Sequence, residues 1–310
     1  MLVKYNKKKL QSQALSEYTK KHVTERTQER IIECGDWIDF LTDEEVTKMK
    51  VYNANFCKNR FCPMCAWRKV RKDALKIGVM MDYVETEHKK ALLFLTLTAP
   101  NVAAEDLPKE ITRFNKAFKN LIKRDCIGKI NQGYMRKLEV TYNAERGDYH
   151  PHFHCVLAVN SSYFTDRTYV KQEKWLNLWR DVMGDDTITQ VDVRRVKKTD
   201  NDKEIRELAK YAAKDSDYTR NQEVFDGFYK ALKGRQVITY NGLFAGANKK
   251  YKAGELDGYI EKDMTEYVYL LMYRWGYGEY VEKERRELTA AERRKVNAVL
   301  MSERDVDDED

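Results

Sequence analysis

No stretch of this chain approaches the ~18 consecutive apolar residues that would suggest a membrane span. The opening MLVKYNKKKLQSQ is too polar for a secretory signal, so the expected location is cytoplasmic. There is no internal repeat and no long Gly/Ser linker, which argues against a repeat array. A disulfide framework is missing as well, because the six cysteines are clustered rather than spread. What remains is a chain of 310 residues, long enough for one large domain or two to three small ones with ample core.

Charge is unevenly placed. The formal net charge is +7, yet Ser302 to Asp310 holds six acids and one arginine, which leaves the remainder at +12. A basic body favours an anionic partner, nucleic acid first, although many basic proteins bind nothing anionic. The acidic tail reads as a solvated segment.

Three cysteines fall in Cys57-Lys-Asn-Arg-Phe-Cys62-Pro-Met-Cys65, and Cys34 lies upstream in ECGDW. Four thiolates would close a tetrahedral structural zinc site, with Cys62 and Cys65 as its knuckle and Cys34 as the available fourth ligand. A redox pair at Cys62 and Cys65 is the competing reading. Cys126 and Cys155 read as small hydrophobes.

The remainder divides into expected elements. Residues 8–31 are polar and helix-permissive, and Thr42 is placed to cap a short helix through Asp43, Glu44 and Glu45. A long helix should begin at the cysteine cluster, with Arg68, Lys69, Arg71 and Lys72 in its early turns. Those four residues either grip phosphates or form a solvated face. ALLFLTLTAP alternates as a strand, and Leu107, Ile111, Phe114, Phe118 and Leu121 make an apolar stripe on a helix starting at Pro108. GYMRKLEVTYN and HFHCVLAVN are strands joined by a Gly-Asp turn. A helix carrying Trp175, Trp179, Val182 and Met183 stops at Gly184. ITQVDVRRV is a fourth strand, followed by a helix over 202–214.

The order β-α-β-β-α-β-α implies an α+β fold, an antiparallel sheet of ferredoxin-like or split βαβ order with helices on one face. Further on, RQVITYNGL reads as a strand, a lysine-rich region as helical, and a last helix is capped at Thr289. The expected domains are 1–90 (helical, with the cysteine module), 91–234 and 235–310 (a C-terminal extension with the acidic tail).

Strand parity carries the chemistry. His152, His154, Val156 and Ala158 share one face of the third strand, and Phe153, Cys155, Leu157 and Val159 share the other. The apolar set should meet the helices and leave both histidines on an open face. Glu139 belongs to the polar set of the second strand, and a hairpin centred near Arg146 puts it almost opposite His154. Two imidazoles and a carboxylate leave positions for phosphate oxygens and water on a cation. This donor set suits Mn²⁺ and tolerates Mg²⁺. His150 precedes Pro151, about 13 Å from His154 at strand rise, and reads as a rim residue.

Glu207 and Tyr211 are four apart on the expected helix, with Lys214 in the same sector. A phenol with a reference pKa near 10 needs a cation and a lysine to attack at neutral pH, and Glu207 could act as base in a release step. By spacing alone, Tyr218 with Lys214, or Glu204 as the acid, compete equally.

HFHCVL resembles the His-hydrophobic-His motif of the HUH endonucleases, Tyr211-Ala-Ala-Lys214 their Tyr-x-x-Lys motif, and FLTLTAPN their first strand motif. With FCKNRFCPMCAWRK, the chain from about Cys34 past Tyr218 resembles the single-tyrosine replication initiators of small rolling-circle bacterial plasmids. The resemblance implies that Tyr211 nicks the plasmid double-strand origin and holds the 5′ phosphate, that the freed 3′ hydroxyl primes synthesis, and that Glu207 serves termination. It also implies Glu139 as third metal ligand and a host helicase and replication polymerase as partners. A single-tyrosine transposase and a zinc-module DNA-binding regulator without catalysis are the alternative classes. The long cysteine module speaks against the first, and covalent trapping on an oligonucleotide separates the second.

Overall fold

A computed structural model describes residues 1–197, 202–210 and 212–305. The N-terminal segment forms α1 (Leu2–Thr19), α2 (Glu25–Ile32), β1 (Trp37–Thr42), β2 (Met49–Ala54) and the long helix α3 (Pro63–Thr86). The middle supplies β3 (Lys90–Leu97), α4 (Leu107–Ile122), α5 (Asp125–Gly128), β4 (Gly133–Asn143), β5 (Asp148–Asn160), α6 (Gln172–Met183) and β6 (Val191–Arg195). It continues through α7 (Asp202–Ala209), α8 (Asp215–Tyr218), α9 (Gln222–Leu232), β7 (Ile238–Asn241) and α10 (Gly242–Lys252). A 3₁₀ turn at Asp257–Tyr259 precedes β8 (Tyr269–Gly276), β9 (Glu279–Glu287) and α11 (Ala290–Val296).

The fold is α+β with two antiparallel sheets. It divides into two compact units, Met1–Lys72 with Ile260–Arg304, and Asp73–Tyr259. These boundaries differ from the expected breaks at 90 and 234. The reason is that β8 hydrogen-bonds along β1, from Trp37↔Arg274 to Thr42↔Tyr269, so the C-terminal segment completes the N-terminal sheet in the order β2-β1-β8-β9. Tyr5, Phe40 and Trp67 meet edge to face in its core, at 5.3 and 4.9 Å from the tyrosine ring. Thr42 ends β1 and caps no helix. Instead the Asp43 carboxylate accepts from Thr47 and Lys48 backbone N–H groups and closes a turn. The acidic tail is partly tied down, since Glu303 pairs with Arg71 at 3.2 Å and Arg304 N–H donates to the Arg71 carbonyl. Residues 306–310 of that tail lie outside the described residues.

The second unit holds a five-stranded sheet ordered β6-β3-β5-β4-β7. Its first four strands have the expected split βαβ order, with β5 inserted between β3 and β4. The apolar stripe of α4 is buried throughout, and Phe114 and Phe118 meet Phe153 edge to face. Trp179 of α6 packs on Phe114 and donates its indole N–H to the Thr98 carbonyl at 2.7 Å. Gly184 ends α6 in the left-handed conformation, φ 62°. The helix expected over 202–214 is shorter. It stops at Ala209, because the outer edge of β4 runs past β7 and recruits the following chain. There Val140 N–H donates to the Ala212 carbonyl at 2.8 Å, and Tyr142 N–H donates to the Asp217 carboxylate at 3.2 Å.

At the start of β4, Gly133 has φ 152°, and a Cβ there would come within 2.4 Å of Leu243 N and 2.7 Å of Asn241 O. Both are backbone atoms, which cannot rotate aside. Gly133→Ala is therefore expected to lower unfolding free energy by roughly 2–4 kcal/mol, read as a reduced denaturant midpoint at unchanged slope.

Candidate active site

The β4–β5 hairpin builds the site. Its register sets Glu139 directly opposite His152 and Lys137 opposite His154, one pair off the expected alignment. The turn is centred between Glu145 and Arg146, one residue earlier than the centre between Arg146 and Gly147 that a Glu139–His154 pairing requires. The consequence is small, since Glu139 Oε2 still lies 3.2 Å from His152 Nε2 and 3.0 Å from His154 Nε2. The face is covered rather than open. Glu139, His152 and His154 are only 4, 9 and 6 % exposed.

The donor chemistry fits a cation. His152 Nδ1 lies 3.3 Å from the His150 carbonyl, which can only accept, so Nδ1 carries a proton and Nε2 is the ring atom left to offer a lone pair. That lone pair then faces a carboxylate oxygen. Two facing acceptors at this distance need a proton or a metal ion between them. Burial pushes the Glu139 carboxyl up, but hydrogen bonds from His152 and His154 outweigh it and hold it well below the usual carboxylate range. Thr96 Oγ1 sits 3.3 Å from His154 Nδ1, and the His154 ring stacks on Phe94 at 5.8 Å. His150 lies at the rim as expected, its ring 5.3 Å from that of His152.

Helix α7 brings the acid. Glu207 Oε2 lies 3.4 Å from His154 Nε2, and its other oxygen accepts from Lys210 at 2.7 Å. Glu204, the competing acid, points elsewhere. It is buried and accepts from Arg194 Nε at 2.9 Å, and that guanidinium also pairs with Asp192 and covers the Phe94 ring at 4.2 Å. Tyr211 lies outside the described residues. Its rival Tyr218 is buried against Phe225 and Phe228. Lys214 is exposed at the start of α8. Sequence reading overlooked Thr96, Lys210 and Arg194. The first was legible from parity on FLTLT, but the others depend on tertiary pairing.

The cysteines assemble in the other unit. Cys34, Cys57, Cys62 and Cys65 all lie within 4.8 Å of one another by sulfur. Sγ separations of 3.5 Å for Cys34–Cys65 and Cys34–Cys62 and 3.6 Å for Cys57–Cys65 approach the ~3.8 Å edge of a zinc-thiolate tetrahedron. Backbone N–H groups of Cys57, Lys58 and Asn59 donate to these sulfurs, and Ser12 Oγ lies 3.3 Å from Cys62 Sγ. Hydrogen bonds among the four thiols hold Cys62 well below the usual thiol range and push Cys34 well above it. Cys155 is buried and Cys126 half-buried, outside the cluster.

The basic run on α3 is divided. Arg71 is buried and bound to Glu303. Arg68 stacks over Phe56 at 4.1 Å. Lys69 and Lys72 are exposed. Among the described residues, no helix is long and apolar enough to cross a membrane.

The profile of a family described as Replication protein matches residues 48–281. A protein called Protein rep from Staphylococcus aureus is 50 % identical over 220 residues, covering 71 % of this chain and 96 % of that protein. A Protein rep from Bacillus amyloliquefaciens is 35 % identical over 253 residues, 74 % of each chain. One from Streptococcus pneumoniae is 34 % identical over 235 residues, 74 % of this chain and 73 % of that one. No solved structure matches the chain.

The four-sulfur cluster is expected to hold one zinc, so elemental analysis of purified protein should find about one per chain. Cys62→Ser should lower both zinc content and thermal stability. Unchanged stability after complete zinc removal would contradict a structural role.

Proposed function

The chain belongs to the replication protein family, and on that premise we propose that it nicks and rejoins one DNA strand at a plasmid double-strand origin, initiating and terminating rolling-circle replication. In this reading the Asp73–Tyr259 unit is an HUH endonuclease domain, and the cysteine module binds structural Zn²⁺. The observation that carries it is the buried trio Glu139, His152 and His154, with Glu207 of α7 3.4 Å from His154.

Glu139, His152 and His154 would hold Mn²⁺ or Mg²⁺, whose contribution when bound is Lewis-acid polarisation of a phosphate oxygen. The Tyr211 phenolate oxygen attacks phosphorus, and the bond to the 3′ oxygen breaks. One phosphodiester is exchanged for another, a 5′-phosphotyrosine, so no nucleotide cofactor is consumed. Lys214 offers a cation to the phosphate in flight, and the freed 3′ hydroxyl is the primer for a host polymerase and helicase. Glu207, oriented by Lys210, takes the proton from water or from an incoming 3′ hydroxyl in the release step. In this reading the exposed Lys69 and Lys72 of α3 contact the DNA backbone.

Tyr211→Phe keeps the ring and loses the attacking oxygen, so no covalent adduct should form on a single-stranded origin oligonucleotide. Glu207→Ala should still form the adduct and release it poorly. His152→Ala should reduce cleavage at least about 100-fold while DNA binding weakens far less. The reading fails if mass spectrometry maps the adduct to a residue other than Tyr211, or if His152→Ala nicks at the parent rate.

A further inference from the structure

The β8–β9 hairpin closes on two residues, Tyr277 and Gly278, between the paired Gly276 and Glu279. Their φ angles are 56° and 86°, the signature of a type I′ turn. The first position of such a turn favours Asn or Gly, because a left-handed backbone crowds any larger side chain. Tyrosine is a poor choice there on conformational grounds. Among the described residues no packing offsets this, since Tyr277 is 104 % exposed. Both flanking glycines stand in open space, where a Cβ would meet nothing within 4 Å, so the tip stays slim.

The stem below the tip is firmly anchored. Trp275 packs on Tyr280 at 5.1 Å, and the buried Tyr280 hydroxyl donates to the Gly35 carbonyl at 2.6 Å. The result is a single bare aromatic ring on a stiff, narrow mount, in a strained conformation.

We propose that Tyr277 is a nucleobase-stacking contact, its ring lying against an unpaired base of the origin DNA. The proposal rests on the reading of this chain as an origin-cutting protein. A protein partner would need a patch of about 800 Å² on each side, and this tip offers one ring between two glycines. A base presents a single π face of matching size, and stacking on it tolerates any sequence.

The experiment titrates the full-length protein into origin oligonucleotides carrying 2-aminopurine at successive unpaired positions. The parent should quench fluorescence at one or two of them. Tyr277→Asn relieves the turn and should raise the melting temperature by about 2 °C, while lowering DNA affinity about tenfold and abolishing the quench. Tyr277→Trp should retain both binding and quenching. A Tyr277→Asn protein that binds and quenches like the parent overturns the proposal. So does one whose DNA affinity is unchanged while sedimentation shows an oligomer falling apart, which would make the ring a self-contact. A parent that neither binds nor cuts origin DNA would remove the underlying reading together with this inference, whereas a cutting parent with an indifferent Asn variant removes this inference alone.

Discussion

The pairing of β4 with β5 is the constraint on which the second unit depends. Its ladder runs from Gly133↔Ala158 to Asn143↔Asp148, and every second residue of β5 faces the same way. One parity sends Phe153 into the rings of α4, and the other sends His152 and His154 toward Glu139. Core and site are thus two sides of a single ladder. A slip by one residue would exchange them, burying imidazoles under α4 and exposing phenylalanine. The packing free energy of the aromatic side therefore also guards the geometry of the polar side.

A second chain of contacts orders the acid. Arg194 grips Glu204 and lies over Phe94, which in turn stacks on His154. This fixes the first turn of α7 and leaves the next acid on that helix, Glu207, to meet the histidine. Two glutamates three residues apart on one short helix thus reach different partners, one in an ion pair within the fold and one at the site.

Much of this was legible in the sequence, because period-two alternation and the Leu107–Leu121 stripe report burial directly. The split βαβ order, the cysteine cluster and the Glu139, His152 and His154 trio follow from such local patterns. What escaped depends on contacts that no local pattern encodes. Glu139 meets His152 rather than His154 because the hairpin is centred between Glu145 and Arg146 and not between Arg146 and Gly147, a whole residue that no local pattern fixes. The helix over 202–214 was drawn too long because its Ala-rich sequence favours helix, while the free edge of β4 competes for the backbone at Ala212. Thr42 looked like a cap because three acids follow it, yet its strand is fixed by β8, some 230 residues away in the chain.

That distance has a consequence for synthesis. β1 needs β8 beside it, and at roughly 5–20 residues per second a ribosome takes about 12–46 s to deliver it. The Asp73–Tyr259 unit is complete in the nascent chain before then. The sheet begun first in the chain can therefore be completed only after the whole second unit has been made. The segment made first waits with an unpaired strand edge for the segment made last, and metal captured early by Cys34, Cys57, Cys62 and Cys65 would hold that segment in place meanwhile.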